Sequence, residues 1–410
     1  MESEGSMDFS DLLLTTVSKM TSGEMSPLPI RWLLVDEAQD MDEVQMEWIL
    51  LHGRSGIEVT LVGDDDQSLY AFRHALGYEG LQEVTFALSA TETTLPINYR
   101  CAPNILTHAA KLIEHNNNRA PKKISAHKET SGEINVLRLP DRWAEVDQIG
   151  NTIINGGDKQ EWAILSRTNL ILDAAEVALT DMGIPYRRTG GKSIWEHSIG
   201  SVFAGLLRSA VDYSWTGIAN ALSFCGIHAE WVNNHSRRTS GGCAGRLDAA
   251  IDQVKDDDSR KTVVQLRMGL ASWCDQIAKG RSALVVHGIA GFLADYCKPN
   301  QLNMLYKLEA VLARMTGTLA QRLSALGRNI QARQQPTIQI MTLHASKGLE
   351  FDNVWIMGCE DGNLPHTDST EEDERRLLYV GMTRARNRLV LSSAMEEGIE
   401  SRLIEESGLT

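Results

Sequence analysis

Trp32-Leu33-Leu34-Val35-Asp36-Glu37-Ala38-Gln39-Asp40 decides the fold: a short apolar run breaks off into a cluster of carboxylates and amides. Val59-Thr60-Leu61-Val62 repeats the arrangement before Gly63-Asp64-Asp65-Asp66. Short buried strands that end in functional loops are the habit of parallel α/β sheets. The pattern continues over 134–191, where 134–139 and 162–165 read as strands. Between them and the next glycine, Leu172, Ala175, Leu179 and Met182 fall at helical spacing with Gly183 as a C-terminal cap. From 193 to 333 the strand signal stops and the chain reads as mainly helical, with a polar, glycine-rich loop at 233–245. Strands return at 337–343, 354–357 and 388–392, with a helix across 372–385. A helical block between two α/β stretches predicts one domain inserted into another.

Composition sets bounds. A 410-residue chain with 42% hydrophobic and 23% charged residues has the make-up of an ordinary globular protein of two or three domains. No apolar run approaches a membrane span, and the acidic start MESEGSMDFS is not a secretory signal. The six cysteines lie far apart without CxxC spacing, which argues against zinc and fits a reducing cytoplasm. A net charge of −14 weighs against a nucleic-acid partner, although a local basic groove can sit on an acidic body.

Five stretches carry chemistry. In the first, the adjacent carboxylates Asp36 and Glu37 at a strand's end suit metal-assisted phosphoryl chemistry, one holding Mg²⁺ and the other polarising water. The competing reading is an acidic helix start favoured by the helix dipole. In the second, Gly63-Asp64-Asp65-Asp66-Gln67-Ser68-Leu69-Tyr70-Ala71-Phe72-Arg73, Gln67 can sense a γ-phosphate. Tyr70, Phe72 and Arg73 interleave rings with a base, as single-stranded nucleic acid requires; the bland alternative is a turn with core aromatics. The third, Asn98-Tyr99-Arg100, offers a ring and a guanidinium. The fourth, Thr342-Leu343-His344-Ala345-Ser346-Lys347-Gly348-Leu349-Glu350-Phe351, leaves a strand into a polar turn. The fifth, from Glu374 to Ala385, reads as a basic helix with Arg384 placed to reach a phosphate, or as a solvated helix paired with the acids before it.

Taken in order, DEAQD, GDDDQSLYAFR, NYR, TLHASKGLEFDNVW and ERRLLYVGMTRA resemble motifs II to VI of UvrD/Rep-type superfamily 1 DNA helicases. Asp8-Phe9-Ser10-Asp11-Leu12-Leu13, Ala163–Asn169 and Gly183-Ile184-Pro185-Tyr186 match the family as well, so the resemblance spans nearly all but the helical middle. It implies an α/β fold of RecA-like parallel-sheet domains with an inserted helical domain, the first RecA-like domain being truncated. The implied division is 1–95 for the remnant of the first domain, 96–191 and 336–410 for the two halves of the second, and 192–335 for the helical insertion. It also implies ATP and Mg²⁺ as cofactors, single-stranded DNA and single-strand/duplex junctions as partners, and 3′-to-5′ travel. By similarity Asp36 would coordinate Mg²⁺ through water and Glu37 would activate the attacking water. Gln67 would couple the γ-phosphate to DNA movement. Tyr99 would stack on adenine, Arg100 and Arg384 would clamp the γ-phosphate, and Glu350 would contact the ribose. Tyr70, Phe72, Arg73 and His344 would line the single-strand track; the family usually carries Trp where Phe72 stands.

One signature is missing. A P-loop reads GxxxxGK[ST], its amides cradling phosphates. Gly190-Gly191-Lys192-Ser193 imitates its end, but the position five before Gly191 is Tyr186, not Gly. The P-loop and the first DNA-contacting motifs are therefore expected upstream of Met1, and the chain is expected to be inactive alone. The alternatives are a non-catalytic DNA-binding or interaction module, and one half of a split motor whose P-loop half is a separate polypeptide.

Overall fold

The structure is a computed structural model that describes residues 7–156, 161–190, 193–195, 198–227, 242–251, 254, 256–315, 317–330 and 337–409. Ten strands occur among them: β1 Trp32–Val35, β2 Glu58–Leu61, β3 Ile97–Asn98, β4 Ser125–Ala126, β5 Glu133–Leu139, β6 Trp162–Ser166, β7 Arg187–Arg188, β8 Ile338–Thr342, β9 Phe351–Ile356 and β10 Ala385–Ala394. Two compact units emerge, one of Met1–Arg142, Leu165–Arg167 and Thr342–Thr410, the other of Trp143–Ile164 and Thr168–Met341. Among the described residues no helix is long and apolar enough to cross a membrane.

In the first unit four strand pairs run parallel. β1 runs beside β2, β3 beside β4, and β10 lies between β5 and β9. The β1/β2 pair alternates, so Leu33, Val35, Val59 and Leu61 pack against a core of Met41, Met46, Ile49, Leu50 and Val84 beneath the helix Glu43–Arg54. Asp42 caps that helix by accepting from the Gln45 amide at 2.8 Å, and the Gln45 side chain accepts in return from the Asp42 amide. The opposite face is bare: Trp32 is 60% and Leu34 76% exposed. β10 is longer than the expected 388–392, and seven of its residues, Arg388 to Ala394, pair with β5.

The helix expected across 372–385 spans Glu371–Met382 and stops three residues sooner. Thr383 closes it, its amide donating to Tyr379 O, and the chain straightens so that Ala385 can pair with Phe351. Arg384 therefore sits in a turn between helix and strand, not on the helix.

In the second unit β8 lies between β6 and β7. The helix predicted from its 3.6-residue spacing is Asn169–Asp181, and Gly183 follows it with φ +69°, the left-handed cap that spacing implied. Of the P-loop imitation, Gly191 and Lys192 fall outside the described residues. Ser193 turns its hydroxyl to the buried carboxylate of Glu176, which also accepts from Tyr186 Oη at 3.0 Å and Arg188 Nη1 at 2.6 Å. Those contacts are structural and seat no phosphate. Of the loop expected at 233–245, residues 233–241 lie outside the described set, while Gly242–Ile251 is helical and buries Leu247.

Six further helices, Ser198–Asp212, Trp215–Phe224, Asp257–Ala278, Ser282–Ala294, Pro299–Arg314 and Leu319–Ile330, share one apolar core that includes Phe203, Leu207, Leu222, Leu266, Val286 and Leu308. The first two of them touch backbone to backbone: a Cβ built on Gly217 would lie 1.9 Å from the Gly205 carbonyl oxygen. We predict that Gly217→Ala forces these helices apart and costs about 1–3 kcal/mol, read as a lowered urea midpoint with the slope unchanged.

Candidate functional site

Asp36 and Glu37 stand at the C-terminal end of β1, where the sequence placed them, and both are exposed. Glu37 is held in the left-handed region at φ 52°. A strained non-glycine residue at a strand end persists only where its neighbours over-determine it. Here the Asp36 carboxylate accepts from the Glu37 amide at 2.8 Å, and Glu37 Oε2 accepts from Gln39 Nε2 at 2.5 Å. Gln39 is fully buried and ties the first motif to the second, its Oε1 accepting from the Asp64 amide at 3.0 Å. That contact explains Gly63: a Cβ there would lie 2.7 Å from Gln39 Oε1.

Gln67 lies one turn on, within Asp65–Gln67. Its Nε2 donates to Asp64 Oδ2 at 2.7 Å, and its Oε1 accepts from Arg384 Nη2 at 3.1 Å. Arg384 is almost wholly buried, also donating to Val380 O at 2.9 Å and Leu349 O at 3.1 Å. Burial, with the Arg100 charge nearby, pulls its guanidinium down to about 10, so it stays cationic at neutral pH. Arg100 donates to Glu350 Oε2 at 2.7 Å and Arg386 to Glu350 Oε1 at the same distance. Hydrogen bonds from Arg386 and then Arg100 hold the Glu350 carboxyl down at about 2. Tyr99 is exposed beside His127, ring centres 4.8 Å apart, leaving one face for a planar group.

The proposed strand-binding side chains form one aromatic step. Tyr70 and Phe72 meet edge to face at 5.9 Å, and Phe72 and His344 at 6.0 Å. Arg73 lies over both rings, 5.6 Å from Tyr70 and 5.5 Å from Phe72. Phe72 is 66% exposed, so its ring is available for stacking. Burial, helped by the Arg167 charge, pulls the His344 imidazole down to about 4. At neutral pH it therefore acts as an uncharged ring, not a phosphate-binding cation.

Three cations at this site were not singled out from the sequence. Lys347 places Nζ 2.5 Å from Asp40 Oδ2, 2.8 Å from Gln67 O, 3.5 Å from Glu37 Oε2 and 5.3 Å from the Tyr70 ring centre. Burial raises the Asp40 carboxyl and Lys347 opposes that rise. Arg119 grips both oxygens of Asp66, at 2.9 and 2.7 Å, while Lys122 touches all of Asp64, Asp65 and Asp66. The signal was available: three consecutive carboxylates at a strand end call for compensating cations if they turn inward. Among the described residues no three His, Cys, Asp or Glu side chains converge as a metal cage. Asp36 and Glu37 do match the donor set that Mg²⁺ uses when phosphate and water complete its octahedron.

The low imidazole value gives a signed prediction. Unfolded histidine titrates near 6.5, so between about pH 6.5 and 4 the unfolded chain takes up a proton that folded His344 refuses. Stability is lost as pH falls through that window. The wild type should lose on the order of 2 kcal/mol more than His344→Asn between pH 7 and pH 4.5, measured by urea unfolding. Equal losses would show that His344 is not held neutral.

Comparison with known proteins follows the same residues. The model for the UvrD-like helicase C-terminal domain matches 93–201 and 288–396, together more than half the chain. That for the UvrD/REP helicase N-terminal domain matches 1–81. DNA helicase II of Escherichia coli is 31% identical over 88% of this chain and 55% of its own length. DNA helicase II of Haemophilus influenzae is 28% identical over 95% of this chain and 59% of its own, and the E. coli ATP-dependent DNA helicase Rep 28% over 95% and 64%. The chain thus spans somewhat more than half the length of these relatives. With the motif residues gathered as described and the family model matched over most of its length, the chain belongs to the UvrD-like helicase family.

Proposed function

We propose that the chain is part of an ATP-driven DNA helicase or translocase moving 3′ to 5′, and that by itself it neither hydrolyses ATP nor unwinds DNA appreciably. The observation that carries the motor reading is the Gln67 bridge. Gln67 binds Arg384 on one side and, through Asp64, the segment bearing Asp36 and Glu37, and it lies three residues before Tyr70. One residue thus touches groups suited to a triphosphate and adjoins groups suited to a base.

The roles follow. Asp36 would hold Mg²⁺ through water, and Mg²⁺ would supply charge neutralisation to the phosphates. Glu37 would orient and deprotonate the attacking water. Arg100 and Arg384 would stabilise charge on the transferred phosphoryl group, Tyr99 would stack on adenine and Glu350 would face the ribose. Tyr70, Phe72, Arg73 and His344 would hold single-stranded DNA or a single-strand/duplex junction by stacking and cation–π contact. The domain division 1–95, 96–191, 192–335 and 336–410 belongs to this reading. The inactivity rests on the sequence having no GxxxxGK[ST] to cradle the β- and γ-phosphates.

A related reading, that a separate P-loop half completes the motor, is favoured by the bare face of β1, where Trp32 and Leu34 wait for a covering layer. A non-catalytic DNA-binding or interaction module is the remaining alternative. DNA-stimulated ATP hydrolysis by the purified chain, with Glu37→Gln beside it, tests the inactivity, and DNA binding tests the aromatic step. We expect no turnover above that variant, with single-stranded DNA still bound and weakened about tenfold by Phe72→Ala, within the ~1–3 kcal/mol of one stacked base. Turnover that disappears in Glu37→Gln would overturn the inactivity. Binding indifferent to Phe72→Ala would overturn the aromatic step as the DNA site.

A further inference from the structure

We propose that Lys122, a residue outside every motif that carries the family resemblance, is a positioning residue for Gln67 and sets which way its amide faces. The inference rests on the coupling role given to Gln67 above and extends it to a group that touches neither nucleotide nor DNA.

A glutamine side chain is two-faced, one end donating and the other accepting, and its two orientations are nearly equal in shape. Only its neighbours choose between them. Gln67 has a guanidinium, a pure donor, on one side and the Asp64 carboxylate, a pure acceptor when ionised, on the other. The Arg384 side alone could be abandoned, because Arg384 keeps Val380 O and Leu349 O. The ionised Asp64 is what makes the flipped amide repulsive on both sides at once.

Asp64 is not an easy group to keep ionised. Burial raises its carboxyl, and Asp65 and Asp66 are adjacent in sequence and more deeply buried still. Lys122 does most to reverse the balance, with the Gln67 side chain and the Asp66 backbone amide adding to it, so the carboxyl of Asp64 ends below its ordinary range. The ammonium contacts Asp64 directly, lies 2.6 Å from Asp65 Oδ1 and 3.0 Å from Asp66 Oδ2, and is itself held above its ordinary range by these acids. Arg119 neutralises Asp66 but makes no contact with Asp64, so it cannot substitute. The chain of contacts is Lys122, Asp64, Gln67, Arg384, each link a charge-assisted hydrogen bond.

The test reads the Gln67 side-chain amide by ¹⁵N NMR of the whole chain, the resonance pair being assigned by its loss in Gln67→Ala. We expect a displaced pair in slow exchange with water for the wild type and for Lys122→Arg. In Lys122→Gln it should move toward the position of a free glutamine and exchange about tenfold faster or more, the factor that loss of one hydrogen bond gives. Should Lys122→Gln fail to fold by circular dichroism, Asp64→Asn, which removes the carboxylate charge that Lys122 is proposed to maintain without removing volume, decides by the same resonance. An unchanged Gln67 pair in a folded variant overturns the proposal, as does a Lys122→Arg protein that behaves like Lys122→Gln. Because nothing here depends on turnover or DNA, failure of this experiment is distinct from failure of the reading it rests on, which the Phe72→Ala binding and Glu37→Gln hydrolysis measurements address separately.

Discussion

Asp64, Asp65 and Asp66 put three negative charges on consecutive residues, and the latter two are buried. An interior accepts such a run only with cations in contact, since an unpaired buried charge costs several kcal/mol. Lys122 and Arg119 meet that demand, and in doing so they fix the segment on which the rest of the site hangs. Gln67 emerges from it toward Arg384, Tyr70 and Phe72 follow it toward His344, and Gln39 binds it back to the carboxylates at the end of β1. Lys347 closes the arrangement on Asp40 and the Gln67 carbonyl.

This view changes how the net charge of −14 reads. Some of the acid is engaged in buried ion pairs: Glu360 with Arg142, Glu374 with Arg167, Glu176 with Arg188. Each such pair is neutral as a unit, so the net of −14 is carried by the remaining groups, and the charge a nucleic acid would meet is decided locally. The aromatic step carries Arg73 over its rings, which sets a cation beside the ring faces although the total is negative.

The strands were legible because an apolar run cut off by acids has one good interpretation in a parallel sheet. β1, β2, β5 and β6 appear within a residue or two of their expected limits. The site residues of the first unit were legible as types at motif positions, and the structure shows which of them touch. What escaped was partnership across long separations. Nothing near Lys122 in the sequence announces Asp64, because only tertiary folding brings them together. The turn at Arg384 escaped for another reason. Helical propensity through Met382 continues into Thr383 and Arg384, and the pull of the Phe351–Ala385 pairing, invisible locally, ends it. The loop read at 233–245 shows the limit of composition: glycine at Gly242 and Gly245 did not prevent a helix once Leu247 found the core.

The parallel register of β10 has a consequence for the order of events during synthesis. β5 is made early, yet Glu133 and its neighbours pair with Arg388 and the residues after it, so that edge of the sheet must wait while the intervening helices are translated. Those helices pack on each other through nearby contacts and can fold as they emerge, whereas β5 holds an unpaired ladder until β10 arrives. At about 5–20 residues per second that wait lasts tens of seconds. The apolar residues of β5 are exposed to whatever else is in the cell for that interval, which makes the nascent chain a natural client for chaperones that bind extended apolar segments.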